Sequence, residues 1–348
     1  MEYNIEAYQP ENRDDGTVVN HYIINSDNDF HFSSVSIDGK DMFSYNSYEF
    51  KNILNYIIDK YSDKVDKFVA FLDIGEAFLS TSLYVIRESH PHVDLIIDVF
   101  KKRKLLDRLV WRSNGLNPDF KFGIKFEPIS SFLGMNIHTC FDIEPRKFSH
   151  IFLSLYRGYR PIREEFHNFL RDMNILEKSL YSYNAEGLKG EPYTNHYSVS
   201  LEDKSITAPM IMFPGNYFRN TFCSIVYESF WDRKVVFFTE KINKCLLTGH
   251  PFIVVASPKY LNYLKKLGFK TFDKWWDESY DNIIDENKRK QKIKENILEI
   301  SKWDIKKCEK IYTEMIPILK HNQDVLKKIA SKRNNSGYYL IKYKTSII

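Results

Sequence analysis

A chain of 348 residues is long enough for about two domains at roughly 150 residues each. With 43% hydrophobic and 16% aromatic residues it can bury enough apolar surface to offset ordering entropy, which excludes disorder as the main state. Lys and Arg number 50 against 46 Asp and Glu, so the chain lacks the strongly basic balance of a dedicated duplex-DNA binder, though a local basic groove stays open.

In chain order, residues 18–24 read as a strand and 48–61 as a helix, with Phe50, Ile53, Leu54, Ile57 and Ile58 at helical spacing. Residues 67–72 form a second strand that ends in Asp73-Ile-Gly-Glu76 and a short helix. Residues 93–99 read as a strand, and 101–111 as a basic helix. Residues 112–147 are punctuated by Gly, Pro and Asn. A strand at 149–156 precedes a helix at 160–173 with Pro161 in its first turn. Residues 179–215 are polar and broken by Pro and Gly. Strands at 222–228 and 251–256 then flank a helix at 240–247 stopped by Gly249, and a helix at 258–267 ends on Gly268. From 283 to about 332 the chain is helical and charged, interrupted near Pro317, and no internal repeat is evident. Strands alternating with helices predict an α/β fold.

Cys140, Cys223, Cys245 and Cys308 are widely spaced, which predicts reduced thiols in a cytoplasmic protein. The first residues lack the features of a signal peptide, and no run of about 18 apolar residues occurs, so no membrane span is expected.

The densest chemistry lies at 222–256. A strand ends at Glu228, and Thr239-Glu240-Lys241 opens a helix with Thr239 as its cap. Such a start is either an ordinary cap with solvated charges or a phosphate site, with free N–H groups, the helix dipole and Lys241 facing an anion. Glu228 or Glu240 would accept from ribose hydroxyls at the strand-end crevice.

The run Thr239-Glu-Lys-Ile-Asn-Lys-Cys-Leu-Leu-Thr-Gly-His-Pro251-Phe-Ile-Val-Val resembles the donor-site segment of α1,3-fucosyltransferases. With Phe152-Leu-Ser-Leu-Tyr-Arg157-Gly-Tyr-Arg160-Pro-Ile-Arg163, Ser182-Tyr-Asn184, Leu267-Gly-Phe-Lys-Thr-Phe272, Asp277-Glu-Ser-Tyr-Asp281 and His321-Asn322, the stretch 148–326 is similar to glycosyltransferase-like proteins of tailed phages and large DNA viruses. The resemblance implies a GT-B-like α/β fold: two Rossmann-like domains facing a cleft, with a long C-terminal helical tail. Residues 1–147 would be the acceptor-side domain, 148–282 the nucleotide-sugar donor domain, and 283–348 helices packing back on both.

It further implies a UDP- or GDP-linked sugar as substrate, Glu240 and Lys241 on its ribose and phosphates, and a clamping arginine from Arg157, Arg160 and Arg163. A guanidinium suits that role because its planar fork pairs two phosphate oxygens. The family pattern has Ile or Pro-Ile-Tyr-Trp where this chain has Pro-Phe-Ile-Val-Val, so sugar and base stay open. No cofactor and no metal are expected. Asp27-Asn-Asp29 matches a metal-binding D-x-D but reads better as a turn, and His90-Pro-His92 lacks a third ligand. Residues 273–281 either face an acceptor or dock the C-terminal helices through their tryptophans; packing is the better reading.

Transfer needs a base for the acceptor hydroxyl. Asp73 and Glu76 are the first candidates, with a plain helix start as the competing reading, and Asp14 and Asp15 come second. The acceptor is either a glycan or a hydroxymethylated pyrimidine in phage or viral DNA, which the basic stretches 101–112 and 288–294 would suit. The competing function is a non-catalytic binding module, a virion or host-interaction protein that keeps the fold.

Overall fold

The computed structural model describes residues 3–7, 11–12, 18–19, 24, 28–32, 35–73, 92–113, 124–130, 132–156, 160–183, 215–231, 235–332 and 339–340. The chain forms two compact units, residues 1–131 with 332–348, and residues 132–331. The expected boundary at 147/148 therefore falls inside the second unit. The tail expected over 283–348 divides, its helices lying in the second unit and residues 332–348 in the first.

The first unit is built on β1 (Asp29–His31), β2 (Lys67–Asp73), β3 (Leu109–Ser113) and β4 (Lys125–Ser130), parallel and adjacent in that order. The short strand Tyr339–Leu340 pairs antiparallel with β4. Helix α1 (Ser47–Tyr61) is capped by Asn46, whose side chain accepts from the amides of Tyr48 and Glu49. It buries the five apolar residues the spacing predicted. Helix α2 (Val93–Lys102) buries Val93, Ile96, Val99 and Phe100. Both supply one core with Phe30, Phe32 and Phe68.

Because strand side chains alternate in direction, the neighbouring positions leave that core. Asp29, Arg112 and Glu127 form a buried charged group: Arg112 lies 2.6 Å from Asp29 and 2.8 Å from Glu127, and Lys67 reaches Glu127 at 2.9 Å.

Two expectations in this unit are corrected. Residues 93–99 are helical, not a strand, because their apolar positions recur every three or four residues against one core. The helix expected at 101–111 stops at Lys102. Lys104 takes a left-handed φ of 57°, Leu105 N–H returns to the Phe100 carbonyl at 2.9 Å, and a single 3-10 turn leads into β3. That stop uses no glycine.

The second unit holds β5 (His150–Tyr156), β6 (Ser179–Tyr183), β7 (Thr221–Tyr227) and β8 (Phe252–Val255), all parallel, in the spatial order β6-β5-β7-β8. From β5 the chain moves first to one side, through helix α3 (Pro161–Asp172) to β6, and then to the other side at β7. After α3 the same turn recurs: Asn174 has φ 54°, and Ile175 N–H returns to the Leu170 carbonyl at 2.8 Å. Helices α4 (Glu240–Thr248) and α5 (Tyr260–Lys266) follow, then α6 (Glu286–Ser301) and α7 (Ile305–Ala330).

Helix α7 runs unbroken through Pro317, contrary to expectation. Pro317 is exposed, and the opposite face is anchored at many points. Tyr312 donates to the Gly249 carbonyl at 3.0 Å, and Gln323 donates to the carbonyls of Phe141 and Leu247 at 2.8 and 2.7 Å. Asn322 brackets the backbone of Lys270. Gly134, at φ 78°, lets its loop approach α7: a Cβ there would sit 2.9 Å from the Ala330 backbone.

Candidate functional site

A parallel sheet leaves a crevice at the carboxyl ends of its strands where the direction of winding reverses, and ligands of open α/β sheets bind there. In the second unit the reversal lies between β5 and β7. Ser154 and Tyr227 face each other across it, the Ser154 hydroxyl donating to Tyr227 Oη at 3.4 Å.

On the β7 side the chain leaves the sheet at Glu228, buried at 2% exposure. Its carboxylate accepts from the Thr239 hydroxyl and the Tyr260 hydroxyl, each at 2.5 Å, and from the Thr239 amide at 3.4 Å. Thr239 caps α4 as expected, its hydroxyl oxygen accepting from the Lys241 amide at 3.2 Å and from the Lys241 ammonium at 3.3 Å. Lys241 also lies 2.9 Å from Glu240. Both charges are recessed, with side chains 22% exposed.

Burial pushes the Glu228 carboxyl up, and the Lys241 charge with the two hydroxyl hydrogen bonds offsets only part of that. Burial and then the Glu228 charge push the Tyr260 hydroxyl well up, which keeps it a donor. For Glu240 burial acts upward too, but Lys241 outweighs it and holds the carboxyl below its ordinary value. One turn on, Lys244 is lowered by burial against the pull of Glu240. The half-buried strip of α4 is thus Glu240, Lys241 and Lys244, while Ile242, Asn243 and residues 245–248 are buried.

On the β5 side Arg160 precedes Pro161 at the start of α3, and its carbonyl accepts from the amides of Arg163 and Glu164. Arg163 is buried at 7% exposure, and its charge acts on Tyr227. The loop after Glu228 is held by buried Arg289 of α6, which donates to the carbonyls of Ile283, Ile284 and Trp231 at 2.6–3.0 Å.

Thr239, Glu240, Lys241 and Glu228 therefore come together, with Arg160 and Arg163 on the helix that follows the neighbouring strand. Asp73 ends β2, its backbone paired with Ser113. The side chain of Asp73 and the whole of Glu76, Arg157, Asp14, Asp15, Asp27, His90 and Asn184 lie outside the described residues. Sequence reasoning missed Tyr260 and Lys244. Lys244 was readable, one helical turn beyond Lys241. Tyr260 carried only the weaker signal of a polar-tipped aromatic opening a helix after a strand.

The other motifs have structural partners. Asp281 accepts from the amides of Leu261 and Asn262 at 2.8 and 3.0 Å, and Glu278 from Thr271 and Phe272 at 2.5 and 2.7 Å. Trp276 is buried against Phe272, and Trp275 donates to Glu314 of α7 at 3.4 Å. Asp29 lies on a strand against Arg112, with the turn at Asn28, where φ is 58°. His92 stacks on Phe50 at 4.1 Å.

Among the described residues no three His, Cys, Asp or Glu side chains form a group able to hold a metal ion, and no helix is long and apolar enough to cross a membrane.

Most charges of the basic stretches have partners within the chain, some of them at the surface. In 101–112, Lys102 pairs with Asp98, Arg103 with Asp59 and Arg112 with Asp29 and Glu127, while Arg108 donates to the carbonyls of Ser62, Val65 and Asp66. In 288–294, Lys290 and Lys294 both lie 2.8 Å from Glu165, and Lys292 lies 2.8 Å from Asp277.

No protein-family model, curated protein or solved structure matches the chain.

Proposed function

We propose that the chain is a metal-independent glycosyltransferase of GT-B type that takes a UDP- or GDP-linked sugar at the β5/β7 crevice. The observation that carries this reading is topological: among the described strands the second sheet reverses between β5 and β7, the Arg160–Arg163 helix start follows β5, and the α4 start with Glu240 and Lys241 follows β7. A diphosphate needs cations and oriented N–H groups, and a ribose needs an acceptor. Lys241 and Arg160 or Arg163 meet the diphosphate, and Glu240 meets the ribose.

In the transfer the acceptor oxygen attacks the anomeric carbon and the bond from that carbon to the diphosphate breaks. The departing charge falls on the diphosphate, where Lys241 and the helix start stabilise it. The acceptor proton passes to a carboxylate, for which Asp73 and Glu76 remain the candidates. Because most charges of the basic stretches are paired within the chain, a glycan is favoured over a pyrimidine in DNA as acceptor.

Thermal melting with UDP-, GDP-, ADP- and CMP-sugars tests this. Ligand at about 100 times Kd stabilises by about 2.7 kcal/mol. One nucleotide class should shift the melting curve, and Lys241→Ala should abolish the shift. A flat panel at saturation overturns the reading in favour of a non-catalytic binding module.

A further inference from the structure

Two helix starts meet at one buried carboxylate. Thr239 opens α4 and Tyr260 opens α5, and both donate to Glu228 at the end of β7. Each oxygen is occupied, Oε2 by the Thr239 hydroxyl, and Oε1 by the Tyr260 hydroxyl and, more weakly, the Thr239 amide. The Thr239 oxygen in turn accepts from the amide and ammonium of Lys241. A relay thus runs from Tyr260 and Glu228 through Thr239 to Lys241.

Resting on the donor reading above, we propose that Glu228 and Tyr260 are positioning residues that fix the first turn of α4 and the Lys241 ammonium for the donor diphosphate, and that Glu228 does not touch the donor. A carboxylate set against the diphosphate itself would repel it. Placed behind Thr239, the same charge draws the hydroxyl proton toward itself and strengthens the Thr239 oxygen as the acceptor that holds Lys241. Tyr260 satisfies the second oxygen, so the carboxylate stays buried without turning toward the crevice. Cations that bind a diphosphate need this support, because a displacement of about 1 Å costs much of their effect.

The test titrates the full chain and its Tyr260→Phe and Glu228→Gln variants with UDP, GDP, ADP and their 2′-deoxyribose counterparts. Hydrogen exchange is followed in parallel at the amides of Lys241 and Asn243. Tyr260→Phe should weaken the preferred diphosphate about tenfold, by the same factor for ribose and deoxyribose forms. It should speed exchange in the first turn of α4 while leaving α7 unchanged.

If Glu228→Gln erases the preference for ribose over deoxyribose while exchange in α4 keeps its parent rate, Glu228 contacts the sugar and the proposal falls. If the parent chain binds none of the nucleotides, the donor reading fails by itself. The exchange arm then decides the relay, and an unaltered rate in Tyr260→Phe overturns it.

Discussion

The two units use one local construction and wind it differently. In each, a helix ends on a left-handed residue, Lys104 or Asn174, passes through a single 3-10 turn, and enters a strand parallel to the one before the helix. The closing hydrogen bonds match closely, Leu105 to Phe100 at 2.9 Å and Ile175 to Leu170 at 2.8 Å. Among the described strands, however, the first sheet advances one way from β1 to β4, whereas the second reverses at β5/β7. Only a reversal separates adjacent loops onto opposite faces and opens a crevice at the strand ends. The candidate ligand residues gather at that reversal. In the first unit the buried charges instead satisfy one another on the face of the sheet. On the function proposed above, ligand binding follows from topology in the second unit and stability from the closed charge group in the first.

The largest expected effect tests the stability half. Arg112→Met removes the shared partner of Asp29 and Glu127 and leaves two buried carboxylates short of a cation. It should cost about 3–5 kcal/mol in denaturant unfolding of the first unit. A loss below about 1 kcal/mol would mean that the group is solvated and its closure irrelevant. Next, Lys241→Ala should lower transfer by about 10²–10³-fold, the scale of losing one stabiliser of transition-state charge. If Arg112→Met abolished nucleotide binding while Lys241→Ala left it intact, the assignment of roles to the two units would be reversed.

Much of this was legible in the sequence, and the failures share a cause. The α1 stripe, the Thr239 cap and the Gly249 stop depend on neighbours within a few residues, so local spacing carries them. The stop at Lys104 does not, because lysine rarely takes a positive φ and nothing in its own side chain marks the turn that the Leu105-to-Phe100 hydrogen bond closes. That missed stop carried the expected helix through 101–111 and hid β3. It also hid the repeated turn, whose two copies share apolar positions and little identity. At the site, Glu228 and Thr239 were visible as a strand end and a helix start. Their link to Tyr260 was not, because it joins residues that only the fold brings together.

Acid acts on both units through buried histidines. His250 is buried between Thr221 and Ser224, and burial lowers its pKa to about 3; His167 is lowered by burial and Arg171 to about 4. An unfolded histidine binds its proton near pH 6.5, so the unfolded chain holds more protons across this window and stability falls as pH drops through it. Each histidine adds a slope of up to about 1.4 kcal/mol per pH unit. Among the described residues of the first unit one histidine behaves this way, His31, lowered by burial and the Arg112 charge to about 3. For Glu127, burial acts upward, but hydrogen bonds from Lys67 and Arg112 outweigh it and hold the carboxyl at about 2. Its contribution is intact above about pH 4.5 and is lost only on further acidification. Glu228, Glu278 and Asp281, raised by burial, oppose the histidines in the second unit, so the histidine effect is read by difference. Denaturant unfolding of residues 132–331 between pH 6.5 and 4 should lose stability less steeply in His167→Gln than in the parent chain. Tryptophan fluorescence follows that unit through Trp231, Trp275, Trp276 and Trp303, against Trp111 in the other. Equal slopes would mean that His167 is not buried neutral.

The smallest effect probes the shared turn itself. A left-handed backbone costs an ordinary side chain about 1–2 kcal/mol, because Cβ crowds the following carbonyl, while asparagine visits the region routinely. Glycine removes that cost but adds freedom to the unfolded chain. Lys104→Gly should therefore stabilise the first unit by about 0.5–1 kcal/mol, and Asn174→Gly the second by no more than a few tenths. The hydrogen-bond geometry of the two turns is the same, so the difference isolates the side chain. Equal gains would show that the surrounding core, not the residue in the turn, sets its cost, and the two stops would then be equivalent despite their different sequences.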